Sequence, residues 1–409
     1  MSMKQIILVI LLFSPFLNTS AQKTEKVPGT ALNAAIRDIA TVLDQKIPGQ
    51  VKVVGIGNVT PFAKESTDLN MAIACFLISQ QKFRQVVLFE DDWVLRPISE
   101  YLTDKSALDS TTIDSLVRIS MANSSSRTAS FSSFIVWLKK YNLAHPDAPV
   151  QLSGIVPDNI IPPAYFLATY IIPVDRANGL ILAKKWGDNI YDIESPFKDI
   201  AAWYQQISKN TALFNKHKKL LLRCAEDIEH DDIIRKGISL EANLMVVYDL
   251  KAQAMANQML KKTTQRTILL ADNETIAKSA YLIDGNPYKP LSFLLHEQLK
   301  DKYYACLTDF ADASSLNLVD PATGQLTLTT IPASTQTQDL LRKKPVLLMR
   351  DDDTDMKHYR PRTIPAIIGM QREIVPDNNI PPADALFIIK QLTSATFLKR
   401  INDIGNWVK

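Results

Sequence analysis

The chain has 409 residues, and its length alone permits two or three domains of roughly 100–200 residues each. No long low-complexity linker divides the sequence. Its 46 basic and 43 acidic residues leave a formal net charge of +3. Nucleic-acid binding needs a clustered basic stripe, and this nearly balanced charge gives no indication of one. The composition therefore predicts no nucleic-acid partner.

The first 21 residues have the pattern of a secretory signal peptide. Lys4 supplies a short basic start, residues 6–16 form an apolar run, and residues 19–21 end in Ala21. Cleavage after Ala21 leaves Gln22 as the first residue. The apolar run is shorter than the roughly 20 residues that span a bilayer. We therefore expect an exported protein, periplasmic or secreted, with no stable membrane span after signal cleavage.

Short apolar runs alternate with helical patterns along the rest of the chain. The predicted strands comprise residues 51–56, 85–89, 150–154, 267–270, 303–307, 346–349 and 385–389. Apolar residues recur at helical spacing between them, as in residues 68–78, and residues 162–262 are almost wholly helical in pattern. Because parallel strands need crossover connections, this order predicts an α/β fold with a largely parallel β-sheet flanked by helices. We expect one domain, residues 22–409, with residues 162–262 as a helical insert between the early and late strands.

The three cysteines all lie in apolar segments: Cys75, Cys224 and Cys306. This placement favours buried side chains that act as small hydrophobic groups. One disulfide with one thiol left over is the alternative in an exported chain, and the sequence does not choose the pair.

Polar motifs follow three of the predicted strands. They are Gly55-Ile56-Gly57-Asn58-Val59-Thr60-Pro61-Phe62-Ala63-Lys64-Glu65, Glu90-Asp91-Asp92-Trp93 and Ala271-Asp272-Asn273-Glu274-Thr275. In order and spacing they resemble the erythromycin esterase-like family, whose signatures are Gly-Glu-x-x-His-Gly-x-x-Glu, Phe-Glu-x-Asp and Ala-His-Asn-x-His. The resemblance extends over residues 30–400 and includes Met255-Ala256-Asn257 and the closing segment Asp384-Ala385-Leu386-Phe387.

The resemblance implies hydrolysis of a macrolactone ester, with a histidine as the general base on water and carboxylates that orient it. A histidine suits this role because its pKa lies near neutral pH. In this chain the matched histidine positions are Pro61, Asp272 and Thr275. The position of the first motif glutamate is Asn58, which can orient a group but holds no charge. None of the five histidines falls at a matched position: His145, His217, His230, His296 and His358.

Two functions remain open after this comparison. The first is a catalytically inactive or repurposed protein that binds a small molecule or partner in a cleft at the strand ends, where ligands of such sheets lie. The second is a hydrolase that acts on an ester with carboxylate-based catalysis, for which the catalytic candidates are Glu65, Glu90 and Asp272. The residues expected to line the cleft are Asn58, Pro61, Phe62, Asp92 and Asn273.

Other chemical motifs are incomplete, so the sequence predicts no cofactor and no metal site. Thr60 takes the third glycine position of a dinucleotide loop, and Lys300 takes the second histidine position of a zincin helix that begins at His296. The acidic segment 351–355 lacks the glycine and the closing glutamate of a calcium loop. One oddity is a ten-residue Pro-rich segment, residues 155–164, which recurs as residues 374–383 with one change. We interpret the copies either as two similar loops or as paired lips of the cleft.

Overall fold

The computed structural model describes residues 47–121, 124–187, 195–239, 244–283, 286–323, 325–343, 348–350, 359–364, 372–373 and 381–398. The predicted signal peptide, the acidic segment 351–355 and residues 374–380 of the second Pro-rich copy lie outside these ranges. The chain forms two compact units. The sheet unit comprises residues 1–155 and 255–409, and the helical unit comprises residues 156–254. The prediction that residues 22–409 form a single domain stays a prediction.

Thirteen strands lie in the described residues. They are β1 Val53–Asn58, β2 Gln85–Leu88, β3 Gln151–Gly154, β4 Thr267–Asp272, β5 Tyr281–Ile283, β6 Asn286–Tyr288, β7 Tyr303–Phe310, β8 Ser314–Val319, β9 Leu326–Ile331, β10 Leu348–Arg350, β11 Arg362–Thr363, β12 Arg372–Glu373 and β13 Ala385–Ile389. Seven of them form one sheet in the order β10-β13-β7-β1-β4-β2-β3. Every neighbouring pair in it is parallel except β10 with β13. The predicted α/β fold with a largely parallel sheet is therefore confirmed.

Fourteen α-helices lie in the described residues. They are α1 Lys64–Ser79, α2 Asp92–Thr103, α3 Ser110–Ser120, α4 Ala129–Ala144, α5 Pro163–Phe166, α6 Ile172–Val174, α7 Arg176–Trp186, α8 Ser195–Lys209, α9 Thr211–Lys216, α10 Lys218–Ser239, α11 Leu244–Lys262, α12 Asn273–Ile276, α13 Leu291–Leu299 and α14 Thr335–Lys343. A π-helical turn, Leu167–Ile171, joins α5 to α6. Among the described residues between β3 and β4, the regular secondary structure is entirely helical, as the pattern of residues 162–262 predicts. None of the described helices is both long and apolar enough to cross a membrane.

The sheet is buried between helices because its strands are apolar on both faces, as parallel strands must be. All four residues of β2 are buried, and Val53, Val54, Gly55, Ile56 and Gly57 of β1 are buried too. Val54 and Ile56 join an apolar core that includes Ile73 and Phe76 of α1. All three cysteines are buried and free, as the interpretation of small hydrophobic side chains predicts.

The helical unit holds the first Pro-rich copy in place through a charged side-chain cluster on α10. Asp231 is fully buried and accepts a hydrogen bond from the Ile161 amide at 2.9 Å. His230 lies 2.9 Å from the Asn159 carbonyl through its Nε2, which donates there. His230 therefore has a structural partner inside its own unit.

Candidate functional site

The carboxyl ends of β1 and β4 define the candidate site. These strands are adjacent and in register, with Asn58 opposite Asp272. The helices that follow them leave to opposite faces of the sheet. The side chain of Ile56 lies in the apolar core that also contains residues of α1. Its neighbour Gly57 faces the other side of the sheet, where an added Cβ would lie 2.6 Å from Oδ1 of Asn273, the first residue of α12. In open α/β sheets, ligands bind in a crevice beyond the strand ends at such a change of direction, so this is where we expect a binding crevice. The structure thus brings Asn58 and Asp272 together at this point.

Asn58 is half-buried at the end of β1 and organises the loop to α1. Its amide nitrogen donates to the Thr67 hydroxyl at 3.2 Å, and its amide oxygen accepts from the Thr60 amide at 3.1 Å. Both groups therefore hold the loop in shape. A neutral amide is suited to this, since it donates and accepts at once.

Asp272 is half-buried and occupies the N-cap of α12. Its carboxylate accepts a hydrogen bond from the Thr275 amide at 2.7 Å, which satisfies a main-chain donor that the short helix leaves open. Asp272 and Thr275, two of the matched histidine positions, thus contact each other. Thr275 itself is buried.

Asn273 was expected to line the cleft but is fully buried. Its amide nitrogen donates to the carbonyls of Thr308 and Arg362, at 2.6 and 2.7 Å, and its oxygen accepts from the Thr308 amide at 3.2 Å. The side chain therefore ties β4 to β7 and to the segment around β11.

The carboxylates of Glu65 and Glu90 lie at two other places along the strand ends, and each is bound by hydroxyl groups. Glu65 accepts from the amide of Thr393 at 2.7 Å and from its hydroxyl at 2.5 Å, which ties the start of α1 to the chain after β13. Glu90 accepts from the hydroxyls of Ser124 and Ser126, the latter at 2.7 Å. Both carboxylates therefore have structural tasks.

The remaining expected cleft residues divide between the surface and the core. Asp92 accepts from the Gly154 amide at 2.9 Å, so it joins α2 to the end of β3. Pro61 is half-buried, whereas Phe62 is buried and its ring lies 5.2 Å from that of Phe397. Phe62 is thus a core residue and does not fill the crevice.

A buried ionic cluster at the end of β7 was missed by the sequence. Asp309 is fully buried and accepts two hydrogen bonds from the Arg362 guanidinium, at 2.8 and 3.1 Å, and one from the Tyr359 hydroxyl. Burial raises the pKa of the Asp309 carboxyl, and Arg362 acts in the opposite direction. Burial and the charge of Asp309 raise the pKa of Tyr359 well above its ordinary value. No local pattern marks this cluster, because Asp309 is about 50 positions from Tyr359 and Arg362 in the chain.

The same cluster holds the segment of residues 359–364 across the strand ends. The Ile364 amide donates to the Val59 carbonyl at 2.8 Å, just beyond β1. Asn273, just beyond β4, holds the Arg362 carbonyl, and Asp309 of β7 holds its side chain. This segment therefore covers part of the carboxyl ends of β7, β1 and β4.

The histidines described in the sheet unit lie near the amino ends of the strands, on the opposite side of the sheet from the candidate site. His145 follows α4 and precedes β3, and its ring stacks on Tyr141 at 4.1 Å. His296 is on α13, which leads into the start of β7. Burial and the charges of Lys278 and Lys300 lower the pKa of His296. His217 and His230 belong to the helical unit, and His358 lies outside the described residues. Within the described ranges, no group of three or more His, Cys, Asp or Glu side chains is placed to hold a metal ion.

Comparisons with solved structures relate this fold to known proteins. A protein from Bacillus cereus matches with a TM-score of 0.70 at 15% identity, over 90% of this chain and 95% of the other. A succinoglycan biosynthesis protein matches with a TM-score of 0.67 at 14% identity, over 92% and 100%. A histidine-to-asparagine variant of the erythromycin esterase EreC, in its open conformation, matches with a TM-score of 0.59 at 18% identity, over 86% and 93%.

The chain thus has an α/β fold related to that of an erythromycin esterase. At identities below 20% the likeness concerns the fold alone. No protein-family model matches the sequence, and a sequence search of curated proteins finds no match either.

Proposed function

We propose that this chain is an exported, catalytically inactive member of the erythromycin esterase-like family that binds a small molecule in the crevice between β1 and β4. The observation that carries the proposal is the chemistry of the three matched positions. Proline has no ionisable side chain, and threonine is a poor base in water, so neither Pro61 nor Thr275 replaces an imidazole. Asp272 is ionisable, but its carboxylate caps α12.

The hydrogen bonds of the other two carboxylates support the same proposal. A general base needs a lone pair directed at the proton it takes, within hydrogen-bond reach. Glu65 is engaged by both donors of Thr393, and Glu90 by two serine hydroxyls. Releasing either carboxylate for catalysis breaks two hydrogen bonds to a charged group, each worth about 1.5–3 kcal/mol. Structural roles account for both residues.

One observation favours the alternative of an ester hydrolase. Asp272 is only partly buried and lies directly opposite Asn58 at the strand ends, so an ionisable side chain is present at the proposed crevice. An ester bound at this point would meet one carboxylate and one amide. In that mechanism Asp272 acts as the base on water and Asn58 orients the substrate carbonyl.

Hydrolysis assays on the purified mature protein distinguish the two functions. We expect p-nitrophenyl esters and erythromycin to be hydrolysed no faster than in buffer. Three variants, Glu65→Gln, Glu90→Gln and Asp272→Asn, remove charge and retain shape. A fourth, His358→Ala, removes the one histidine that lies outside the described residues. Turnover by the wild-type protein that any of these four changes abolishes would overturn the proposal of inactivity.

Calorimetric titration tests binding at the crevice separately from catalysis. Erythromycin and a succinoglycan oligosaccharide are the probes, because the structural neighbours include an erythromycin esterase and a succinoglycan biosynthesis protein. We expect Asp272→Asn to weaken binding of at least one probe. The control is Asp114→Asn on α3, which removes a surface carboxylate away from the strand ends and should leave binding unchanged. Equal weakening by both variants would speak against the crevice as the binding site.

A further inference from the structure

In the described residues, the hairpin formed by β8 and β9 has one edge bound to another segment of the chain and one edge without a paired strand. Ser315 of β8 forms a bridge with Thr393, and the Asn317 amide donates to the Ser394 hydroxyl at 2.9 Å. Among the strands of the described ranges, β9 pairs with β8 alone. Within the part of the chain that the structure describes, the other side of β9 therefore carries no paired strand, and we call it the β9 edge.

The hydrogen-bond register identifies the main-chain groups on the β9 edge. The Asp320 amide donates to the Gln325 carbonyl at 2.9 Å, so this pair closes the hairpin. Pairs of an antiparallel ladder alternate between bonded and non-bonded. Asn317, opposite Leu328, is therefore in a non-bonded pair, which agrees with its amide pointing away to Ser394. By the same alternation, the amides and carbonyls of Leu326, Leu328 and Thr330 point out from the β9 edge.

The β9 strand carries two exposed leucines among uncharged threonines. Leu326 is 52% exposed and Leu328 is 66% exposed, whereas Leu316 and Leu318 of β8 are buried under the opposite face of the hairpin. Residues 326–331 read Leu-Thr-Leu-Thr-Thr-Ile and contain neither charge nor proline. Soluble proteins usually protect such an edge with lysine, proline or a covering element, since an open edge recruits another strand.

We propose that the β9 edge pairs with the β9 edge of a second copy of this chain, antiparallel across a twofold axis. Pairing Leu328 with Leu328 of the second copy aligns the outward groups of both strands and makes about six main-chain hydrogen bonds. It also places the exposed leucines of both copies on one face of a four-stranded sheet. A second copy suits this edge because an uncharged strand pairs with itself without repulsion, and a twofold interface is self-complementary.

Sedimentation velocity over a concentration series tests the proposal. We expect the wild-type protein to dimerise in the micromolar range and Leu328→Pro to raise the dissociation constant at least about tenfold. Proline at this position removes an outward amide and leaves the ladder with β8 intact, because edge strands accept proline where the amide faces solvent. Leu328→Thr keeps the amide and removes the apolar side chain, so we expect an intermediate effect.

Ile181→Thr, at a residue 61% exposed on α7, is the matched control for a lost surface hydrophobic group and should leave dimerisation unchanged. A wild-type protein that stays monomeric at about 100 µM would overturn the proposal. A dimer that Leu328→Pro leaves intact would do the same.

Amide hydrogen exchange on the wild-type protein gives an independent measurement that needs no variant. On raising the concentration, the amides of Leu326, Leu328 and Thr330 should slow their exchange. The amides of Thr327 and Thr329, which face β8, should exchange at the same rate throughout. Equal behaviour of the two groups would refute pairing through this edge.

Discussion

Replacing Arg362 by methionine tests the energetic role of the buried ionic cluster at the end of β7. The substitution keeps much of the side-chain volume and removes the charge that faces Asp309, which has no exposed surface. It also removes hydrogen bonds to the carbonyls of Phe310 and Pro332, at 2.6 and 3.2 Å. Breaking a buried ion pair from one side costs about 3–5 kcal/mol because the remaining charge is left without compensation. We expect Arg362→Met to lower the free energy of unfolding by an amount in the upper half of that range.

The measurement is urea unfolding followed by circular dichroism, with two control variants. Arg118→Met breaks an ion pair with Asp114 whose side chains are 29% and 36% exposed, and it should cost less than about 1 kcal/mol. The double variant Asp309→Asn with Arg362→Met removes both charges and should recover much of the lost stability.

The difference in unfolding free energy between Arg362→Met and the wild-type protein should also depend on pH. Burial raises the pKa of Asp309 in the folded state, and Arg362 counteracts that effect. Without Arg362 the folded-state pKa rises further, so the folded protein takes up a proton more readily than the unfolded chain. The stability difference from wild type should therefore shrink as the pH falls from 8 to 5. A deficit below about 1 kcal/mol, or one equal at both pH values, would refute the role assigned to this cluster.

Two further predictions concern the strand ends and the N-terminus. Gly154→Ala places a Cβ 2.3 Å from the Glu90 carbonyl and 2.5 Å from the Asp92 amide, both main-chain atoms, so it should destabilise the protein by about 1–3 kcal/mol. Thermal unfolding measures this, and Gly49→Ala, which meets no atom within 4 Å, should lack that steric penalty; equal losses would contradict the steric explanation. Expression of the full chain in a bacterium with two membranes should release a mature protein that begins at Gln22. Intact-mass measurement checks this, and a retained N-terminus would rule out signal cleavage.

The main features of the fold follow from local patterns in the sequence. Apolar runs such as residues 85–89, separated by helical segments, suffice to predict a parallel sheet, because each crossover needs room for a helix. The predicted strand at 267–270 lies within β4, and the predicted helix at 68–78 lies within α1. The motifs after β1 and β4 likewise indicate which residues stand at the strand ends.

The tertiary structure alone decides what those residues contact. Sequence reasoning placed Phe62 and Asn273 in the cleft, but the order β7-β1-β4 buries Asn273 between strand ends, and Phe62 packs on Phe397. The partner of Glu65 is Thr393, and that of Asp309 is Arg362. Strand order depends on the total packing of the chain, whereas periodicity reports only which residues are buried. Contacts between distant segments, and with them the tasks of the carboxylates, are therefore set by the folded structure.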